Sequence, residues 1–208
     1  MHHSHLFLGL DLGQRQDPSA LVIVERSNEL TGCRNPVSFE LERELSYRLW
    51  HAERIALGTP YIEIITRIRR LVKEVTPRFQ VLGVPLASGP NKTLVVDASG
   101  VGNPVVELLR KAALGCTLAP VLITAWGRPH QGAGGQELVP RRDLLTNLRI
   151  LLERKLLKIP VGLHDRMALV EELVRVRDRS GSKHDDLVMA AALACWRASG
   201  RGRLGPML

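Results

Sequence analysis

Cysteine is scarce in this chain. Cys33, Cys116 and Cys195 are the whole complement, an odd number with no CxxC spacing. That excludes the paired-cysteine zinc site and the disulfide framework of small secreted domains, and the three thiols are expected to be reduced and structural. No run of about 18 uncharged apolar residues occurs either, so a membrane-spanning helix is not expected. The opening residues, MHHSHLFLGLDLG, lack the basic region, long apolar segment and cleavage site of a signal peptide, which makes the cytoplasm the expected setting. There is no internal repeat and no linker-like stretch between periodic segments. What is present suffices for a core: 208 residues, 45% hydrophobic and 24% charged, the range of one ordinary globular domain. Residues 1–200 are read as that domain and 201–208 as a flexible tail.

Charge carries more information. Lysine and arginine total 29 against 21 acidic residues, a formal net charge of +8 with a pI near 10.0. Arginine supplies much of the excess, in groups such as Arg67, Arg69 and Arg70, the pair Arg141 and Arg142, and Arg175, Arg177 and Arg179. A basic surface attracts polyanions, nucleic acid foremost. Basicity alone is equally the mark of an ordinary arginine-rich protein.

Apolar periodicity sets the order of elements. Residues 5–12 and 19–26 read as two strands joined by a tight turn within GQRQDPS, a hairpin, and 37–48 as a third strand. In TPYIEIITRIRRLVKEV, Thr59 and Pro60 are helix-start residues, and Tyr61, Ile64, Ile65, Ile68, Leu71, Val72 and Val75 follow at helical spacing. TLVVD (93–97) is a short buried strand, GVGNPVVELLRKAALG a glycine turn, helix and glycine stop, and 118–125 a further strand. The glycine-rich 127–137 reads as a mobile loop, 140–157 and 164–176 as helices, RDRSGSKH as a polar loop, and DDLVMAAALACWRAS as a closing apolar helix. The reading is one α/β domain, a hairpin-led mixed sheet covered by helices.

Acids stand where apolar residues belong. Asp11 interrupts the first strand between Gly9 and Gly13, Asp97 ends TLVVD, and Asp185 and Asp186 open the apolar last helix. A carboxylate buried alone costs several kcal/mol. If the first strand and TLVVD are sheet neighbours, Asp11 and Asp97 lie side by side and the last helix brings Asp186 over them. Clustered carboxylates stay ionised together only when a cation shares the site. Oxygen-only ligands select a hard divalent ion, Mg²⁺ or Mn²⁺, and two such ions catalyse phosphodiester cleavage. Each acid also has a structural reading: Asp11 as a strand-end turn residue, Asp97 as an Asx-turn or cap, Asp185 and Asp186 as helix-start acids. Coincidence of all of them is the weaker account.

GLDLGQRQDPSALVIVE, TLVVDASGVGNPVVELL and HDDLVMAAALA, in this order and spacing, resemble the nuclease domain of phage large terminase subunits, and VPRRDLLTNLRILLERKLLKIP is similar to the region between that family's second and third motifs. The resemblance spans nearly the whole chain. It implies an RNase H-like mixed sheet opened by an antiparallel hairpin and flanked by helices, and an endonuclease that cuts double-stranded DNA with two Mg²⁺ or Mn²⁺ ions. By the same resemblance Asp11 bridges both metals, Asp97 is the ligand at its strand end and Asp186 the ligand on the last helix, with Asp185 assisting or substituting. His184 and Lys183 are implied as auxiliaries, Lys183 together with Arg141 and Arg142 as contacts to DNA. Asp17 matches an acid common in the family's first turn, where a structural role is the stronger reading. Implied partners are a packaging ATPase domain, a small terminase subunit and a portal in a bacterial host cell, with no membrane. The departure is the absence of a GxxxxGK[ST] phosphate loop, so the chain is expected to be an isolated nuclease domain or a stand-alone relative, without its own translocation motor.

Three rivals remain. A junction resolvase or transposase-type nuclease would share the metal site. A phosphotransferase of the actin and sugar-kinase type would use GLDLG as a phosphate loop, but Gln14, Arg15 and Gln16 stand where small and hydroxyl residues are favoured. A non-catalytic DNA-binding domain would have no need of the acids.

Overall fold

Strand pairing builds a single eight-stranded sheet from segments scattered along the chain. A computed structural model describes residues 4–13, 17–80, 91–100, 102–132, 135–176 and 185–200. The strands are β1 (His5–Asp11), β2 (Ser19–Arg34), β3 (Leu41–Ile55), β4 (Asn91–Asp97), β5 (Thr117–Thr124), β6 (His130–Gln131), β7 (Glu137–Pro140) and β8 (Leu157–Lys158). The helices are α1 (Tyr61–Gln80), α2 (Gly102–Lys111), α3 (Arg141–Glu153), α4 (Arg166–Arg175) and α5 (Asp186–Ala198). Across the sheet the order is β6-β7-β5-β4-β1-β2-β3-β8. The β1–β2 and β2–β3 pairs are antiparallel, while β1–β4, β4–β5 and β5–β7 are parallel. Among the described residues no helix is long and apolar enough to cross a membrane.

β1 lies in the middle of the sheet, and its five central residues are buried. A strand covered on both faces is apolar throughout rather than alternating. Its side chains nevertheless divide by parity. Leu6, Leu8 and Leu10 join Ile64, Ile68 and Val72 of α1 and Val105 and Leu109 of α2 in one core. Phe7 faces the other core, with Leu144 and Leu148 of α3 and nearly every residue of α5. Gly9 and Asp11 share the parity of Phe7, so Asp11 belongs to the α5 face.

Gly9 is what allows α5 to seat there. A Cβ at this position would stand 1.8 Å from the Ala190 carbonyl oxygen and 3.0 Å from the Ala194 nitrogen. Helix backbone thus rests directly on strand backbone. The facing α5 residues are correspondingly small, with Ala190, Ala191 and Ala194 at most 2% exposed. A helix buried on all sides has no need of a polar stripe, which accounts for its composition.

Several elements differ from expectation, each for a physical reason. β2 runs on to Arg34 rather than ending at 26, and the strand expected over 37–48 is displaced to Leu41–Ile55, because residues 36–38 form a turn capped by Asn35. Beyond Val24, β2 leaves the packed interior, and its outer half is held by backbone pairing with β3 rather than by apolar alternation. The helix expected over 140–157 stops at Glu153 because Lys155 takes φ 57°, a left-handed turn that ends the helix. That turn releases Leu157 to pair with Tyr47 of β3. The glycine-rich stretch 127–137 contains β6, which pairs with β7. Lys183, His184 and residues 201–208 lie outside the described residues.

Candidate active site

One row of residues crosses the sheet at the end of β1. Asp11 pairs with Ala20 of β2, and Ala20 pairs with Arg54 of β3. On the other side, β1 and β4 run in register through Leu10 and Val96, so the next positions are Asp11 and Asp97. Asp97 in turn pairs with Val121 of β5. Arg54, Ala20, Asp11, Asp97 and Val121 therefore form a line. Ala20, Ala52, Val95 and Val121 all belong to the α5 core, and by parity Arg54 and Asp97 face the same way. A register shift between Ile23 and Val24, which pair with His51 and Leu49, absorbs Trp50 as an extra residue and leaves Leu49 and Ala52 on this one face. Between Arg54 and Asp11 the row carries only the methyl group of Ala20, which is fully buried.

α5 delivers two acids to this row. Burial raises the Asp11 carboxyl well above its ordinary value of 3.8, and Asp97, Asp186 and Asp185 push it further, with Arg141 opposing. The sheet and the start of the last helix thus bring three further carboxylates into electrostatic reach of Asp11. Burial also raises Asp97, while the Ser99 hydroxyl and backbone N–H lower it. Ser99 donates its N–H to Asp97 Oδ1 at 2.8 Å, an Asx-turn, and its Oγ accepts from the Ile123 N–H at 2.6 Å. Asp97 is thus an Asx-turn residue that also lies beside Asp11.

Asp185 and Asp186 do different things. Asp185 precedes α5 but makes no side-chain cap; its carboxylate receives the Arg141 guanidinium from the start of α3. Asp186 is 8% exposed, and Arg54 Nε lies 3.9 Å from its Oδ2. Arg141 consequently turns inward to the acids, whereas Arg142 is exposed beside Asp143. Asp17 is exposed in the first turn.

The sequence reading missed Glu172. This α4 residue is 5% exposed and accepts the Val188 N–H at 3.0 Å, supplying from a neighbouring helix the cap that Asp185 does not give. The same carboxylate receives the Arg54 guanidinium. Burial raises Glu172, Val188 and Arg54 lower it, and Asp186 raises it again. Arg54 is fixed a second time by its own backbone N–H, which donates to Asp165 Oδ2 at 2.8 Å. An acid three residues after Leu169, on the buried face of an amphipathic helix, was the available signal for Glu172.

The donor set suits a hard cation. Asp11, Asp97, Asp185 and Asp186 are opposed by two guanidinium groups, Arg54 and Arg141, one of which is shared with Glu172. The edge therefore keeps an excess of negative charge presented entirely through oxygen. Among the described residues no group of three or more His, Cys, Asp or Glu side chains is placed to hold a metal ion together.

The sequence matches no known protein family and no curated protein. Its structure is similar to that of the large terminase nuclease from thermophilic phage G20c, with a TM-score of 0.53 and 21% identity over 92% of this chain and 81% of that one. Thermus thermophilus RuvC aligns with a TM-score of 0.40 and 16% identity over 98% and 99% of the two chains. At such identities the likeness is one of fold, and the chain has the RNase H-like fold of the terminase nuclease.

Proposed function

We propose that this chain is a metal-dependent nuclease that cleaves double-stranded DNA by two-metal-ion hydrolysis, as a terminase nuclease does in viral genome packaging. The observation that carries the reading is the convergence of Asp97, Asp185 and Asp186 on Asp11, from two strands and the start of a helix at one sheet edge, where each of the three raises the cost of ionising Asp11. Asp11, in the middle of the row, would serve both ions. Asp97 and Asp186 would flank it, and Asp185 would join once released from Arg141. When bound, Mg²⁺ or Mn²⁺ supplies an activated water and stabilises the leaving oxygen. The protein's own part is to hold the acids on rigid elements, with Glu172 and Arg54 fixing the first turn of α5. Arg142 and the freed Arg141 would meet DNA phosphates, with Lys183 and His184 as further candidates by resemblance. A packaging ATPase, a small terminase subunit and a portal are the partners the resemblance proposes.

The test is Mn²⁺-dependent conversion of supercoiled plasmid to nicked and linear forms, with linear duplex and a four-way junction in parallel. Wild type should cut, and Asp11→Ala and Asp97→Ala should not, while both variants keep the wild-type circular dichroism spectrum. Cutting retained in either variant would sink the assigned site. Cutting confined to the junction would replace genome cleavage with junction resolution.

A further inference from the structure

Of the three tryptophans, two have clear structural duties. Trp196 is 4% exposed within α5, and Trp50 donates its indole N–H to Glu25 Oε2 at 2.7 Å. Trp126 is 88% exposed. Tryptophan is the largest apolar side chain, and leaving its ring in water forgoes the burial it normally obtains.

Its position in the fold is specific. β5 runs parallel to β4, so both strands end at the edge that carries the acids. The Ala98 N–H donates to the Val121 carbonyl at 2.8 Å, and the Ile123 N–H to Ser99 Oγ at 2.6 Å, fastening β5 to the residues directly after Asp97. Trp126 lies two residues past the end of β5, five positions beyond the Val121 that pairs with Asp97. Its backbone is held because Thr124 Oγ1 donates to the Trp126 carbonyl at 3.0 Å. Gly127 at φ 106° then turns the chain into Arg128, which is exposed and makes no ion pair among the described residues. An anchored backbone thus presents a bare indole and a guanidinium just past the end of β5, the strand beside the one that ends in Asp97.

We propose that Trp126 and Arg128 form a stacking subsite for an unpaired nucleobase beside the scissile phosphate. This rests on the nuclease reading and narrows its substrate to DNA that is locally unstacked at the cut. The indole supplies a π-face that any base can cover, and Arg128 reaches the adjoining phosphate. A paired base inside a duplex hides its faces against its neighbours and cannot use the site.

Binding of a fluorescein-labelled single-stranded oligodeoxythymidine, measured by anisotropy without divalent metal, tests this apart from cleavage. Trp126→Ala should weaken binding about five- to a hundredfold, Trp126→Phe should restore most of it, and neither should weaken binding of a blunt duplex of equal length by more than twofold. Arg128→Ala should lower the salt slope by about 0.7, the value of one single-strand phosphate contact, whereas Trp126→Ala leaves the slope unchanged. Single-strand affinity of Trp126→Ala within twofold of wild type, or equal losses on both DNAs, overturns the subsite, as does a wild type that binds no single strand. The indole would then be left to a protein contact. Because cleavage is read separately with Mn²⁺, a wild type that binds the single strand but never cuts defeats the nuclease reading and leaves the stacking result standing.

Discussion

Replacing Gly9 with alanine adds one methyl group where the backbones of β1 and α5 touch. That Cβ would lie 1.8 Å from the Ala190 carbonyl oxygen, and real Cβ contacts do not fall below 3.0 Å, so α5 must retreat by at least 1.2 Å (3.0 − 1.8). The obstacle is helix backbone, which no rotamer change relieves. Overpacking of this kind costs about 1–3 kcal/mol. In a chain of this size each kcal/mol lowers the melting temperature by about 2–4 °C, so the fall should be roughly 2–12 °C. Because Asp185 and Asp186 ride on α5 while Asp11 is two residues beyond Gly9, the same retreat separates the proposed ligands. Misplacement by about 1 Å costs on the order of a hundredfold in rate. Gly162→Ala is the control, since a Cβ there meets nothing within 4 Å. Thermal unfolding followed at 222 nm and Mn²⁺-dependent plasmid cleavage read the two effects. If Gly9→Ala melts within a degree of wild type and cuts at the wild-type rate, the reasoning that α5 seats on β1 through this glycine is wrong.

Other consequences follow from named contacts. Asp11 has a folded-state value raised above its unfolded one, so its protonated form favours folding; that stability is complete below about pH 3.8 and is lost as pH rises through the folded value. Asp11→Asn should therefore melt higher than wild type at neutral pH without metal, lose that advantage near pH 3.5, and fail to gain stability from Mn²⁺ that wild type gains by mass action. At Glu53, burial pushes the carboxyl up, but the His51 ring 3.2 Å away and the hydrogen-bonded Arg67 guanidinium outweigh it and bring it from 4.5 to about 2. A lowering of that size corresponds to about 3 kcal/mol, present above pH 4.5 and lost as pH falls toward 2; Glu53→Gln should flatten the acid limb of the unfolding curve. Glu172→Ala leaves the Val188 N–H and the Arg54 guanidinium without their shared acceptor. It should cost about 1–3 kcal/mol in urea unfolding and reduce cleavage, while Glu171→Ala on the exposed side of α4 does neither.

The elements that build the candidate site were the most legible ones. β1 and β4 are short apolar runs that each end in aspartate, and α5 is an apolar helix opened by two, so chain order and chemistry together placed the acids. The turn chemistry of Asp97 was equally visible, in the small residues after it. The outer halves of β2 and β3 were not, because they lie beyond the helices and no apolar alternation marks their length. β6 and β8, two residues each, exist through their pairing partners alone. Arg54 and Glu172 escaped because each looks like an ordinary surface charge. Their roles arise when α4 packs across the start of α5, a contact between segments far apart in sequence. Trp126 is the converse, an apolar residue whose exposure only the fold reveals.

The central claim is that the acids at the end of β1, the end of β4 and the start of α5 hold a pair of divalent ions. Crystals grown with Mn²⁺ and measured for anomalous scattering at the manganese edge test it most directly. The account predicts two peaks flanked by Asp11, Asp97 and Asp186, with Asp11 touching both. A map with no peak at this edge, or with manganese bound only elsewhere, would contradict it.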